Sequence, residues 1–270
     1  MRAILLAILL GLALPAGAQT PGPQRLSTGD TAGPWEAVGR LEIGGQGFCT
    51  GALIAPDQVL TAAHCLFDPD TGRRIDPARI EFRAGWRDGR AAAYRDVARA
   101  AVHPAYDRGG EAVETRVARD LALLELTRPI RLPSLAAYAT AAAPRAGEAV
   151  GLVSYARERA EAPALEEDCR VLHAAGGILA LSCAVDFGAS GAPAFAMGAG
   201  GPRIVSVVSA MARMQGRPVA LAAPVAANLA PLRAALIERG GRFLRAAPGG
   251  GDALDSGGGR TGSGARFIRP

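Results

Sequence analysis

The sequence contains no lysine: all 30 basic residues of the 270-residue chain are arginines. A lysine amine or Schiff base therefore has no part in its chemistry. Aromatic residues are also scarce, at 5% of the chain, but the hydrophobic fraction of 49% is enough for a globular core. This composition excludes a fibrous, coiled-coil or wholly disordered protein, and the length favours one domain or two small ones.

A basic excess is missing from the central part of the chain, although the formal net charge is +5. Residues 19–239 hold 24 Arg and 23 acidic residues, whereas residues 240–270 hold five Arg and two Asp. The high isoelectric point is therefore set by the ends of the chain. We expect no nucleic-acid partner for the folded part, because such a partner needs a concentrated basic surface.

Long hydrophobic runs are absent except near the start of the chain. Residues 3–14 form a 12-residue apolar run, too short to span the roughly 30 Å core of a bilayer as a helix. The run follows Arg2 and precedes Ala16-Gly17-Ala18, which has the small-residue pattern of a cleavage site. We interpret residues 1–18 as a signal peptide, with an uncleaved anchor as the alternative. The mature chain then begins at Gln19, has no membrane span, and is periplasmic or secreted.

The four cysteines include no Cys-x-x-Cys pair, which argues against a metal site. An even number in an exported chain predicts two disulfides, with four free thiols as the alternative. Cys169 and Cys183 flank a predicted hairpin that turns at Gly176-Gly177. They would face each other across it, about 4.5–5.5 Å apart, within disulfide reach. This pairing leaves Cys49 with Cys65.

Short apolar runs alternate with turn residues from Trp35 onward. They form two series of six predicted strands, separated by a Pro-containing stretch over 128–145. The predicted strands are 38–43, 48–54, 58–61, 80–83, 94–102 and 121–126, then 149–155, 170–172, 178–183, 194–197, 204–210 and 219–223. Such a succession is typical of β-barrels or sandwiches.

Only residues 225–239 show helical spacing, and Gly240-Gly241 is a plausible stop after them. Residues 19–34 are rich in Pro, Gly, Ser and Thr, and we interpret them as a flexible N-terminal arm. Residues 241–270 form a Gly/Arg-rich tail that we expect to be disordered.

Three segments carry side chains suited to acyl transfer. Ser190 lies in Gly188-Ala-Ser-Gly-Ala-Pro193, where glycines let the backbone expose a hydroxyl and aim N–H groups at one point. His64 follows a predicted strand, and Asp120 opens another. Each signal alone is weak, because Gly-Ser turns, lone histidines and strand-end acids are common. We interpret the other histidines, His103 and His173, as structural or solvent-exposed.

Together, the segments resemble the trypsin/chymotrypsin family of serine proteases, especially exported bacterial members near the glutamyl endopeptidases. The matching residues are Cys49-Thr-Gly-Ala-Leu-Ile54, Thr61-Ala-Ala-His-Cys65, Asp120-Leu-Ala-Leu-Leu124 and Gly188-Ala-Ser-Gly-Ala-Pro193. The resemblance implies an all-β fold of two packed six-stranded antiparallel β-barrels with a C-terminal α-helix. The first barrel is expected over 35–133, and the second barrel with the helix over 134–240. The resemblance also supports the Cys49–Cys65 disulfide beside His64.

The resemblance assigns a role to each of these residues. Ser190 is the nucleophile, His64 the general base and acid, and Asp120 the residue that orients His64. The backbone N–H groups of Gly188 and Ser190 form the oxyanion hole. The substrate is a polypeptide, and we expect a monomer without cofactor or metal. The alternative is an inactive homologue that binds a partner, but retention of all three side chains favours the enzyme.

Departures from the family pattern bear on specificity and activation. The residues expected to line the substrate pocket are Ala184, Ser209, Ala210 and Met211. Ala184 stands where digestive relatives have the acid that selects Arg or Lys, and no histidine lies in 207–211 to favour Glu. The pocket is therefore expected to prefer small or medium apolar side chains. Ala189 replaces the aspartate that pairs with a new N-terminus in zymogens, so no specific N-terminus is expected to be required.

Overall fold

Residues 22–45, 47–109 and 112–238 are described by a computed structural model of the chain. The predicted signal peptide, the expected mature start at Gln19 and the predicted tail over 241–270 lie outside these ranges. No helix within the described ranges is both long and apolar enough to cross a bilayer.

Six antiparallel strands close the first barrel, in the order β2-β3-β4-β7-β6-β5. Their bounds are β2 Val38–Ile43, β3 Phe48–Ala55, β4 Gln58–Thr61, β5 Ile80–Ala84, β6 Ala93–Val102 and β7 Ala122–Leu126. Every strand of the first predicted series is present, and no end differs by more than one residue. Apolar and polar residues alternate along β2 and β5, so that Leu41, Ile80 and Phe82 are buried.

Six further strands close a second antiparallel barrel, in the order β8-β9-β10-β13-β12-β11, with β11 pairing back to β8. Their bounds are β8 Ala149–Ala156, β9 Arg159–Ala175, β10 Ile178–Leu181, β11 Pro193–Ala196, β12 Arg203–Met214 and β13 Arg217–Pro224. The predicted fold class is therefore confirmed. The predicted boundary between residues 133 and 134 falls in the segment that connects Leu126 to Ala149.

Strand β9 starts eleven residues earlier than the strand predicted from residue 170. Its first half is rich in acidic residues and lacks the alternation that signals a strand. It is nevertheless a strand because it pairs along β8, with Glu166 opposite Leu152. This pairing buries Glu166 inside the second barrel region, where it reaches the loop that carries Ser190.

The hairpin between β9 and β10 turns at Gly176-Gly177 as predicted, but its register near the turn differs by one residue. Ala175 lies opposite Ile178, and a bulge after Ala180 then restores the predicted register. The restored register sets Cys169 and Cys183 5.0 Å apart between Cα atoms. The two disulfides of the structure are Cys169–Cys183 and Cys49–Cys65, as predicted.

The N-terminal segment differs from the flexible arm predicted over 19–34. Strand β1, Gln24–Arg25, pairs antiparallel with β9, and Leu26 N–H donates to Pro163 O at 2.9 Å. Leu26 is only 5% exposed. A four-residue helix, α1 Gly29–Ala32, follows with Thr28 as its N-cap, and the Trp35 ring packs beside Phe195. The two apolar residues Leu26 and Trp35 anchor a segment whose composition suggests a loose chain.

Two longer helices pack on the barrels, one on the first and the other on strands β10 and β13 of the second. Helix α3, Ala226–Glu238, occupies the predicted helical segment, whose last residue, Arg239, lies outside the described ranges. It packs on β6 and β7 and buries Leu232. Helix α2, Val113–Ala118, has no counterpart among the predicted elements, because six residues are too few to show a helical period. It ends two residues before Asp120 and so helps to place it.

Candidate active site

His64 lies on a short 3-10 turn, Ala63–Leu66, that directly follows strand β4. The Cys49–Cys65 disulfide ties this turn to strand β3. Asp120 lies between α2 and β7, and its backbone N–H donates to Val117 O at 3.1 Å. The first barrel therefore fixes both residues through short, well-anchored segments rather than through long loops.

Asp120 holds His64 through two hydrogen bonds. The His64 backbone N–H donates to Oδ1 at 2.8 Å, and Nδ1 lies 2.6 Å from Oδ2. The Asp120 side chain is only 3% exposed, whereas the His64 side chain is 32% exposed. Because the carboxylate can only accept, Nδ1 carries the proton and Nε2 is left free to accept one. The ring thus presents its basic nitrogen at a solvent-accessible position.

Ser209 contributes a third hydrogen bond to the same carboxylate. Its hydroxyl donates to Asp120 Oδ2 at 2.5 Å. Ser209 lies at a bulge in β12, where the pairing with β13 shifts between Val208 and Ala210. The sequence predicts Ser209 as a pocket residue; in the structure its hydroxyl is committed to Asp120. This contact also joins the two barrels at the site.

The pKa of His64 is raised above its usual value, and this rise is the net result of opposing influences. Burial of the imidazole disfavours its charged form and lowers the pKa, and the Arg108 charge acts in the same direction. The charge of Asp120 and its hydrogen bond together outweigh both. Asp120 therefore stabilises an imidazolium at this position, which general-base chemistry requires.

Ser190 lies in a loop of the second barrel between two glycines with positive φ. Gly188 has a φ of +97° and Gly191 a φ of +81°, values that side chains disfavour. A Cβ on Gly188 would lie 2.3 Å from the Phe48 ring, and one on Gly191 would lie 2.2 Å from Thr61 Oγ1. The glycines therefore let the loop fit closely against Phe48 and Thr61 of the first barrel. Thr61 lies three residues before His64 in the sequence.

Two backbone donors in this loop are unused within the described part of the chain. The N–H groups of Gly188 and Ser190 have no acceptor there, whereas those of Ala189, Gly191 and Ala192 all do. The Ser190 hydroxyl, which is half-buried, likewise has no hydrogen-bond partner among the described residues. The structure thus joins His64 to Asp120 directly, and the Ser190 hydroxyl and the two N–H groups have no partner among the described residues.

Glu166 is a residue of the site region that the sequence did not reveal. Its Oε2 accepts the Ala184 N–H at 2.8 Å, at the start of the loop that carries Ser190. Burial raises the pKa of Glu166, although the Ala184 hydrogen bond and the Arg159 charge act against this. The Cys169–Cys183 disulfide anchors the same end of the loop. A carboxyl group is therefore close to the predicted pocket floor.

The other predicted residues occupy varied surroundings. Ala184 is exposed, and Met211 is half-buried. Ala210 packs against a small apolar cluster that includes Val117. His103 is buried with Nδ1 accepting from Ala105 N–H, as expected of a structural histidine.

Groups of potential metal-ligand atoms occur twice among the described residues, and both groups include disulfide sulfurs. One contains Cys49, Cys65 and His64; the other contains Glu166 with Cys169 and Cys183. Cysteines in a disulfide are not thiolates, so neither group has the donor set of a metal site.

Two packed antiparallel barrels with His64, Asp120 and a glycine-flanked serine between them define the chymotrypsin-like class of hydrolase folds. The chain belongs to the trypsin family of serine proteases, whose sequence profile, Trypsin, matches residues 27–231. It is accordingly a serine endopeptidase by family. A solved structure of a Glu endopeptidase in complex with MPD is similar in fold, with 18% identity and a TM-score of 0.66. The match covers 80% of this chain and 97% of that one.

Proposed function

We propose that the chain is an exported serine endopeptidase in which Ser190, His64 and Asp120 form a catalytic triad. The observation that carries the proposal is the fixed orientation of His64, with Nδ1 held by the buried Asp120 carboxylate. Nε2 is then the nitrogen available to take a proton. The unused N–H groups of Gly188 and Ser190 supply the second requirement, donors for an oxyanion.

In this mechanism Ser190 Oγ attacks the scissile carbonyl carbon while His64 Nε2 removes the hydroxyl proton. The carbonyl π electrons move to oxygen, and the N–H groups of Gly188 and Ser190 bind the resulting oxyanion. Collapse of this intermediate breaks the C–N bond, and the His64 imidazolium gives its proton to the leaving amine. A water molecule, deprotonated by His64, then hydrolyses the ester on Ser190.

The alternative is an inactive homologue that binds a partner. It rests on the Ser190 hydroxyl, which has no hydrogen bond to His64 within the described chain. Such contacts are often long in ligand-free enzymes and shorten when substrate binds, so the free hydroxyl does not argue against catalysis. Retention of all three residues His64, Asp120 and Ser190 in the chain favours the enzyme.

Labelling with a fluorophosphonate tests the assignment, because the reagent forms a covalent bond only with an activated serine. We expect the mature chain to gain one adduct on Ser190, observed by intact mass and peptide mapping. Ser190→Ala should not label, and His64→Ala should label far more slowly. Ser182→Ala is the matched control, because Ser182 lies at the start of the same loop but is exposed. A wild-type chain that resists labelling would support the inactive homologue instead.

We further propose that the pocket before the cleaved bond accepts small or medium apolar side chains. The fold relative is named a Glu endopeptidase, but two observations oppose that preference in this chain. No histidine lies in 207–211, and the Glu166 carboxyl lies 2.8 Å from the Ala184 backbone nitrogen. Where Glu166 is ionised, its carboxylate would repel a substrate carboxylate at this position.

We also propose that residues 1–18 are removed on export and that the mature chain is a monomer. The two disulfides of the structure fit an oxidising compartment. N-terminal sequencing of the exported protein should begin at Gln19, and light scattering should give the mass of one chain. An uncleaved leader in the exported protein would contradict the first expectation, and a dimer mass the second.

A further inference from the structure

Thr50 joins the candidate oxyanion loop to both barrels. The residue lies on β3 and is completely buried. Its backbone N–H donates to Ser190 O at 2.8 Å, and its hydroxyl donates to Gly188 O at 2.8 Å. Its own carbonyl accepts the Thr61 hydroxyl at 2.8 Å. One residue of the first barrel therefore binds the carbonyls of the two residues whose N–H groups are unused.

The direction of the Thr50 hydroxyl is fixed by a third element. The Tyr155 backbone N–H, on β8 of the second barrel, donates to Thr50 Oγ1 at 3.1 Å. Because that N–H can only donate, the hydroxyl accepts from Tyr155 and directs its own hydrogen to Gly188 O. Burial away from water strengthens both bonds and makes their loss costly.

The two candidate N–H donors belong to different peptide units of the loop. Each peptide unit is planar and rotates as a whole. The unit containing the Gly188 N–H is held by Arg157 N–H bonding to Phe187 O at 2.7 Å. The unit containing the Ser190 N–H is held by Ala192 N–H bonding to Ala189 O at 2.9 Å. These bonds orient the donors. The unit between them is held at its N–H end by Ala189, which donates to Asp186 O at 3.0 Å, while Gly188 itself resists rotation little.

Thr50 supplies a second bond to this unit, at its carbonyl end. Gly188, at a φ of +97°, connects the unit with the candidate donor to the next unit, whose carbonyl accepts from Thr50 Oγ1. Four peptide units connect Phe187 to Gly191. Among the hydrogen bonds that these units make in the described chain, the bond from Thr50 Oγ1 is the one made by a side chain. Removing it therefore frees the carbonyl end of this unit without changing the backbone partners of the loop.

We propose that Thr50 is a positioning residue that holds the oxyanion loop in its active form without an N-terminal ion pair. The inference rests on the proposed function of Gly188 and Ser190 as oxyanion donors. Ala189 has no charge to pair with an N-terminus, so the loop needs a constitutive support, and Thr50 provides it. Because Thr50 follows Cys49, whose disulfide partner follows His64, the same strand sets the base and the oxyanion loop relative to each other.

The test compares Thr50→Val, which keeps the shape but removes the hydroxyl, with Thr50→Ser, which restores it. We expect Thr50→Val to lower kcat by about tenfold to a hundredfold with little change in KM, because an oxyanion forms only in the transition state. Thr50→Ser should recover kcat to within about threefold of wild type. The inhibition constant of a peptide boronic acid should rise in parallel with the loss in kcat, while the affinity for a product peptide stays unchanged.

Thr61→Val is the matched control, because it removes a buried threonine hydroxyl bonded to the Thr50 carbonyl but not to the loop. It should lower Tm about as much as Thr50→Val and leave kcat within about twofold of wild type. If Thr50→Val is not recovered folded, Thr50→Ala provides the same comparison. Equal kcat in wild type and the hydroxyl-free variant, or equal losses in Thr61→Val, would overturn the inference while the proposed function stands. A wild type no more active than Ser190→Ala would overturn both.

Discussion

Ser209 donates a hydrogen bond to Asp120 across the boundary between the two barrels, over 2.5 Å between its hydroxyl and Oδ2. The carboxylate that orients His64 is thus shared with a serine of the opposite barrel. Ser209→Ala should remove a hydrogen bond to a charged group and lower Tm by about 3 °C or more. More of the Asp120 charge then acts on the imidazolium, so the pKa of His64 and the acidic limb of kcat/KM should move to higher pH. Ser182→Ala, a change of an exposed serine, is the control and should leave that limb in place.

Asp120→Asn should have the opposite effect on the pH profile. The charge and the hydrogen bond of Asp120 raise the pKa of His64, so their removal should move the acidic limb to lower pH. The kcat should also fall by about 10⁴, since the amide no longer enforces the productive tautomer. His64→Ala and Ser190→Ala should remove nearly all turnover, whereas His103→Ala and His173→Ala should not. Activity that survives His64→Ala but is lost in His103→Ala would contradict the assignment.

Glu166 should make the stability of the protein depend on pH. Burial raises its pKa above the ordinary value of 4.5, so the native state favours the protonated form. Its contribution to stability is complete below the unfolded pKa and is lost as the pH rises through the higher folded pKa. Glu166→Gln stays neutral and can still accept from the Ala184 N–H. Its free energy of unfolding relative to wild type, from urea titrations, should therefore increase as the pH rises above the ordinary pKa value of 4.5.

Glu167→Gln is the control for this measurement, because Glu167 is the exposed neighbour on the same strand. Its free energy of unfolding should follow wild type at every pH. A Glu166→Gln curve that ran parallel to wild type would show that the carboxyl group is not destabilised by burial.

The cleavage preference should be apolar. A peptide library should be cut mainly after Ala, Val or Leu, and acidic residues at that position should reduce kcat/KM by about tenfold or more. A preference for Arg would contradict this expectation. In that case the same library tested on Glu166→Gln and Asp186→Asn would identify which carboxylate binds the guanidinium.

Activity should not require one defined N-terminus. Ala189 is 1% exposed, and its N–H donates to Asp186 O. Val38 is the first residue of β2 and lies opposite Ala52, so a chain cut just before it would lose the segment that pairs with the second barrel. The mature chain should be active with a short N-terminal extension and also with an acetylated α-amine. Activity that appears only after cleavage at Ala37 or Val38 would contradict this prediction.

Local pattern predicted the strands and the three candidate catalytic side chains, whereas the arrangement of the strands in two barrels came from the family resemblance, because the pattern alone left a sandwich open. The strands alternate or form apolar runs, and His64, Asp120 and Ser190 each lie in a compact motif at a strand end or a glycine turn. The disulfides also followed, since hairpin geometry sets Cys169 against Cys183.

The supporting contacts could not be predicted because they depend on how distant segments meet. Thr50 belongs to a motif that indicates a strand, and nothing local shows that its hydroxyl reaches Gly188, 138 residues away. Glu166 lies in a polar stretch that has no strand pattern of its own and is a strand because it pairs with β8. The order of the N-terminal segment has the same cause, because β1 pairs with β9 and the Trp35 ring packs beside Phe195, both far along the chain.

The pairing of β1 with β9 has a consequence for the order in which the chain can fold. The first barrel is contiguous, from Val38 to Leu126, and can close as soon as its strands have been synthesised. Gln24 pairs with Leu165, so the first strand must wait until 141 further residues have been added. Loop-closure entropy makes such a distant contact late. Ser190 is made later still, so the nascent chain carries His64 and Asp120 without a nucleophile until the second barrel has formed.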